Sequence, residues 1–249
     1  MLEMIKYLAL ELRRSLRDRR YLLLVAGWPV AAYLLFSTVF GAAADRTEGL
    51  SPTVEIMVAM ASFGAMGGVL LASGPRLAMD RQTGWLRQLR LTPLSPARIL
   101  TARLISAMAL SLPAIVLTFI AAVLVKGVTL PLWEWPLLVL VIAAGCLPFA
   151  ALGILVGTIA DGDGAQGLTM ALYLVLAALG GLWMPVQILP SALQTVAKTL
   201  PSYHLAQLGW HIAQGVAPAF GDALVLLAWF AGAALLAVVA SRRLTLRSA

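Results

Sequence analysis

Residues 56–75 read IMVAMASFGAMGGVLLASGP, and residues 76–98 that follow read RLAMDRQTGWLRQLRLTPLSPAR. The first stretch is 20 residues long and holds no Asp, Glu, Lys or Arg. At 1.5 Å per residue that length of helix crosses about 30 Å of hydrocarbon. The second stretch carries five arginines among leucines. An uncharged span that runs into a basic, partly apolar loop sets the fold class, because such a loop stays on one side of a membrane.

Working outward, the other uncharged stretches are Tyr21 to Ala44, Leu104 to Val125, Trp135 to Ala160, Gly164 to Ala197, Thr199 to Gly221 and Ala223 to Ser241. Composition agrees: 61% of the 249 residues are hydrophobic, 12% are charged and the mean hydropathy is +0.92. Soluble proteins have roughly 25% charged residues. The reading is an all-α polytopic membrane protein, one transmembrane domain over 1–249, with six spans near 21–43, 55–77, 99–125, 136–158, 166–184 and 222–240. Pro29, Pro113 and Pro148 are expected to kink their helices.

Charge fixes the parity. The segment 1–20, the stretch 76–103 and the tail 242–249 hold 15 of the 18 basic residues. Arg46, Lys126 and Lys198 lie in the alternate loops. The positive-inside rule puts both termini and the 79–98 loop in the cytoplasm, so the span number is even. The net charge of +7 is then topology, and no nucleic-acid partner is expected. Leu2, Ile5, Leu8, Leu12 and Leu16 recur at helical spacing, so 1–20 reads as an amphipathic surface helix rather than a signal peptide. Spans one and two occupy 21–78, spans three to five 99–184, and span six 221–241.

The stretch 185–220 between spans five and six is broken by Pro185, Pro190, Pro201 and Pro218. It reads as short re-entrant or interface-lying external helices, with Ser191 and Ser202 as N-caps. The competing reading is a seventh span, which would place the Arg-rich tail outside.

The missing chemistry excludes whole classes. No span has an ionisable residue at its centre, where ion-coupled carriers place one. Lys6, Lys126 and Lys198 each follow a residue other than glycine, so there is no P-loop. Asp161-Gly162-Asp163-Gly164-Ala165-Gln166 resembles the DGxxAR start of the CDP-alcohol phosphotransferases, but the Arg is Gln and no further acids follow at the required spacing. It reads as a tight turn whose acids cap the fifth span. His204 and His211 share one helix face, and a metal would need more ligands. The lone Cys146 makes no internal disulfide. No metal site, bound cofactor or catalytic residue is expected, and the chain is not an enzyme by itself.

The 79–98 loop has an apolar side of Trp85, Leu86, Leu89 and Leu91 and a basic side of Arg87 and Arg90. Such a helix, in a chain with no soluble domain, suggests docking to a cytoplasmic partner; the alternative is a hairpin resting on lipid headgroups. The run DRQTGWLRQLRLTPLSPARIL resembles the signature of the type-2 ABC exporter permeases: an acid–Arg–x–x–Gly–Thr run, a Leu/Arg helix, then T-P-L-S before the third span. Asp80, Arg81, Gly84, Leu89, Thr92, Pro93, Leu94 and Ser95 match. Trp85 replaces the usual small residue, and Asp80 is commonly Glu. The external LPSALQ and LPSYH elements and the six-span layout are also similar to that family.

The resemblance implies a permease subunit of an ATP-driven exporter in a bacterial plasma membrane, with a multidrug, antibiotic or lipid-like cargo. Two six-span protomers, identical or related, would each recruit a separate ATP-binding subunit that holds ATP and Mg. Asp80, Arg81, Gly84, Trp85, Leu86, Arg87, Leu89, Arg90, Thr92 and Pro93 would couple to it. A path at the protomer interface would run along spans two and five, past Met60, Phe63, Met66, Met170, Tyr173 and Leu176. Methionine-rich surfaces adapt to varied apolar ligands, so an amphipathic or apolar substrate moved by alternating access is expected. The alternative is an ion-coupled or passive carrier with no ATPase. Gly64 and Gly68, Gly153 and Gly157, and Ala177 and Gly181 are small residues one helical turn apart, suited to close helix packing. That packing lies either at a dimer seam or inside one protomer.

Overall fold

A computed structural model describes residues 23–41, 50–85 and 96–247. The surface helix expected over 1–20 lies outside the described residues. A π-helical turn at Leu23–Gly27 leads into α1 (Trp28–Phe40). There follow α2 (Pro52–Gln82), α3 (Pro96–Lys126), α4 (Glu134–Gly145), α5 (Leu147–Ile159) and α6 (Gly162–Leu179). A 3-10 turn at Val186–Ile188 precedes α7 (Ser191–Ala197), α8 (Pro201–Ala213) and α9 (Phe220–Arg247). The described residues contain no strand. Five helical stretches are long and apolar enough to cross a membrane: α2, the Thr101–Lys126 part of α3, α4 with α5, α6, and the Phe220–Ser241 part of α9. Val25–Phe40 is a shorter apolar helix.

The helix ends differ from the expected spans for local reasons. Pro29 has no N–H for the Val25 carbonyl, and the wider π turn sits just before it. Residues 136–158 are not one helix. Pro148 cannot bond the Ala144 carbonyl, so α4 stops and α5 restarts at Cys146, whose carbonyl accepts from Phe149 (3.1 Å) and Ala150 (3.2 Å). Pro113, by contrast, lies inside α3. The fifth span ends at Leu179, short of residue 184, because Gly180 and Gly181 follow and Gly181 takes φ +80°, a conformation other residues avoid. Ser191 and Ser202 are not N-caps. Pro190 and Leu200 hold those positions, and neither caps through its side chain. Asp161 does hold the N-cap position of α6 but makes no capping bond.

α2 is the axis of the bundle. Of its most apolar window 83% is buried, against 17% for α9. In lipid the hydrophobic effect does not drive helices together, so close backbone approach carries the packing, and the glycines show where it occurs. A Cβ on Gly64 would sit 2.8 Å from both Ala114 and Pro29, and one on Gly68 2.8 Å from the Leu110 carbonyl oxygen. These two glycines seat α1 and α3. A Cβ on Gly67 would strike the Tyr173 ring of α6 at 2.7 Å, and one on Gly74 the Thr169 hydroxyl at 2.6 Å. From α5, Gly153 lies against Ser73 and Gly157 against the Gly74 carbonyl. A Cβ on Gly209 of α8 would lie 2.5 Å from Val58. The neighbours of Gly64, Gly68, Gly153 and Gly157 all belong to this one chain.

The order of the ends follows from polar contacts. Lys126 donates to Thr38 (2.6 Å), joining the ends of α3 and α1. Trp210 of α8 donates to the Glu55 carbonyl at the start of α2 (3.1 Å). At the opposite end, α2 finishes beside the end of α5. Leu117, Ile120 and Leu124 of α3 and Leu224, Leu227 and Leu235 of α9 are exposed, forming apolar faces for lipid.

Candidate functional site: the Asp80–Trp85 end of the central helix

Gln82 is the last residue of α2, Thr83 its C-cap, and Gly84 takes φ +72°. The Thr83 amide donates to the Met79 carbonyl (2.9 Å) and the Gly84 amide to the Arg81 carbonyl (3.3 Å). This is a left-handed glycine stop, and it ends α2 just before Trp85. Leu86, Arg87, Leu89, Arg90, Thr92 and Pro93 lie outside the described residues.

The two charges before that stop point inward rather than into the loop. Asp80 is buried, and its carboxylate accepts from Arg103 of α3 at 2.5 Å. The side chains of the pair are only 8% and 11% exposed. Arg81 reaches the end of α5, where its guanidinium donates to the carbonyls of Gly157 (2.9 Å) and Thr158 (2.5 Å). Asp161 lies 3.9 Å away and largely in solvent. The last carbonyls of a helix have no partner within it and carry partial negative charge. Arg81 supplies donors and a positive charge at that point. Consecutive residues of α2 thus fasten it to α3 and to α5. A cavity of about 20 Å³ between α2, α3 and α5 is lined by Arg76, Arg103 and Ser106, enough for one water.

The second group of expected residues lies further along α2. Phe63 stacks on Tyr173 with ring centroids 4.6 Å apart, and Trp183 meets Phe63 edge-on at 5.6 Å. The Tyr173 hydroxyl donates to the Phe63 carbonyl at 3.3 Å. Met60, Met66 and Leu176 are buried, while Met170 is half-buried. These side chains pack α6 on α2 within the chain. Ala177 is fully buried in the same core, and Gly181 turns the chain over Val186. Ser202 of α8 donates to the Leu176 carbonyl (2.7 Å), so the 185–220 segment closes over the α6 end of this seam.

A profile of the family described as ABC-2 family transporter protein matches residues 44–239. The chain belongs to the ABC-2 transporter family. A Bacillus subtilis (strain 168) protein named "Putative transport permease YvfS" is 31% identical over 219 residues, covering 88% of this chain and 89% of that one. This ABC-2 chain is therefore a multi-pass membrane protein and the membrane subunit of an ABC transporter, a family role that pairs it with an ATP-binding subunit.

Sequence reasoning missed several partners in this ABC-2 chain. Arg103 read only as a topology charge; its place opposite Asp80 depends on how α2 and α3 pack. Trp183 carried no motif, and Ser202, expected as an N-cap, instead donates to the Leu176 carbonyl. Gly67 and Gly74 have no glycine four residues away, yet they are as tightly covered as the paired ones. Asp222, near the start of α9, is set by the fold between His204 and His211, a meeting that no spacing announces.

Proposed function

We propose that this chain is the permease of an ATP-driven exporter in a bacterial plasma membrane. It crosses six times, with both termini in the cytoplasm. It pairs with a second copy or a related chain and takes its energy from a separate ATP-binding subunit, which holds ATP and Mg. The observation that carries the reading is the double fastening of α2: Asp80 to Arg103 of α3, and Arg81 to the end of α5. Residues 86–95 leave from that fastened end, so force applied there moves α2, α3 and α5 together. Asp80, Arg81, Gly84 and Trp85 act as positioning residues, and Leu86, Arg87, Leu89, Arg90, Thr92 and Pro93 supply the docking surface. Among the described residues, the buried carboxylates are Asp80 and Glu134, and each lies at a helix end. That distribution supports an external energy source over ion coupling, which uses carboxylates inside the span.

The cargo is an amphipathic or apolar molecule. Its path opens where α6 parts from α2, past Met60, Phe63, Met66, Met170, Tyr173 and Leu176. The apolar character of these residues, with no ionised group among them, supports that class. The test of the coupling is a mild-detergent pull-down of the tagged chain from native membranes. An ATPase is expected with the wild type and lost with Arg87→Glu/Leu89→Glu. Its absence from both, with the chain folded, sinks the reading. For the path, Met170→Trp is expected to cut efflux of an amphipathic fluorescent dye severalfold with unchanged melting temperature. Unaltered efflux removes the path assignment.

A further inference from the structure

The end of the bundle that holds α7 and α8 carries a cluster that the transport reading does not use. His204 of α8 sits between two oxygens. Its Nδ1 is 2.6 Å from Asp222 Oδ1 near the start of α9, and its Nε2 is 2.9 Å from the Lys198 carbonyl. His211 brings its own Nδ1 to 3.6 Å from Asp222 Oδ2.

A carbonyl only accepts hydrogen bonds, so Nε2 must carry a hydrogen. An ionised carboxylate also only accepts, so the second contact needs a hydrogen as well. A neutral imidazole has one N–H. The His204–Asp222 pair therefore holds one proton more than a neutral histidine beside a carboxylate, and the imidazole, the stronger base of the two, carries it. We propose that this pair is a proton-binding site that latches the α7–α8 segment to α9.

The surroundings define the sign. Tyr203 meets the His204 ring edge-on at 5.3 Å. Lys198 contributes its carbonyl, and His211 shares Asp222. Of the other elements packed on α8, α2 and α4 bring Glu55 and Glu134 to this end, while the acid of α6, Asp163, lies at the far end. With the proton present, imidazolium and carboxylate attract and both ring bonds are made. When the proton leaves, one ring nitrogen turns a lone pair toward an oxygen, either Asp222 Oδ1 at 2.6 Å or the Lys198 carbonyl at 2.9 Å, so one of the two bonds is lost and so is the imidazolium–carboxylate attraction that ties α8 to α9. The latch therefore holds while the extra proton is bound and loosens when it leaves. Trp229 of α9 donates to the Thr199 carbonyl at 2.9 Å and does not titrate, so it holds the segment while the pair changes.

The consequence rests on the transport reading. Ser202, two residues before His204, bonds the Leu176 carbonyl at the end of the α2–α6 seam. A loosened α8 uncovers that seam, so the pH outside would set how readily it opens.

The two histidines are the whole complement of the chain, which makes the test direct. Ring-15N-histidine NMR of the full chain in lipid nanodiscs follows their protonation, with His211→Gln assigning the signals. Amide exchange over 201–213 is read in parallel, corrected for its intrinsic pH dependence. At the acid end of the pH series, His204 is expected with both nitrogens protonated. At the alkaline end one proton is lost and exchange over 201–213 rises at least threefold, a change that Asp222→Asn flattens. A His204 ring that stays neutral in one tautomer throughout overturns the proposal, as does titration without a change in exchange. If His211→Gln fails to fold, the wild-type sample can still overturn the proposal, because it predicts at least one doubly protonated ring at the acid end. Neither readout needs cargo or an ATPase, so failure here is separate from failure of the exporter reading.

Discussion

Asp80 and Arg103 face each other with little water access, so removing one charge strands the other in a poor dielectric. Asp80→Asn should destabilise the purified chain by about 3 kcal/mol, read as a lower melting temperature in detergent. The double variant Asp80→Asn/Arg103→Gln should recover part of that loss. A melting temperature unchanged in the single variant argues against the buried pair. The glycines separate just as clearly. A Cβ on Gly157 meets the Gly74 backbone carbonyl, which cannot yield, and Leu77 at 2.9 Å, whereas one on Gly164 meets open space. Gly157→Ala should cost about 1–3 kcal/mol. Gly164→Ala should be neutral or stabilising by up to about 1 kcal/mol, because alanine suits a helix better. Equal melting temperatures for the two would contradict the packing.

At the scale of the element, Arg81 completes α5. Without it the carbonyls of Gly157 and Thr158 lose a charged donor, an interaction worth about 1.5–3 kcal/mol where buried and less at this partly open site. Arg81→Gln should therefore raise amide exchange selectively in the last turn of α5. Arg81→Lys should restore it only in part, since one ammonium cannot span carbonyls as a guanidinium does. Exchange that rises evenly along α5 would point to global loosening instead. The helices themselves were largely legible. Apolar runs of the right length announce them in the chain. The divided fourth span was less so. Pro113 and Pro148 look alike in sequence, yet α3 continues through the first while α4 stops before the second.

For the whole molecule, the proposed six crossings predict which loops share a side. In a Cys146→Ala background, Val216→Cys should react with a membrane-impermeant maleimide on intact cells. Asp163→Cys should react only after lysis. The reverse pattern would place the Arg-rich termini outside. Cys146 is fully buried, so its removal clears the background at the cost of one small core side chain.

Class, approximate spans and the basic-loop asymmetry were determined by the sequence alone, because hydrocarbon demands long uncharged helices whatever surrounds them. The same holds for the loop motif on which the resemblance to the family rests, since it is read in consecutive residues. Tertiary structure alone decided which charges meet. Asp80 finds Arg103, Arg81 finds the end of α5, and Asp222 finds two histidines, across separations that no helical period encodes. It also decided that the small residues of α2 face helices of their own chain on several sides. Glycine spacing reveals that a backbone can be approached closely. Which backbone approaches depends on the packing of the whole bundle.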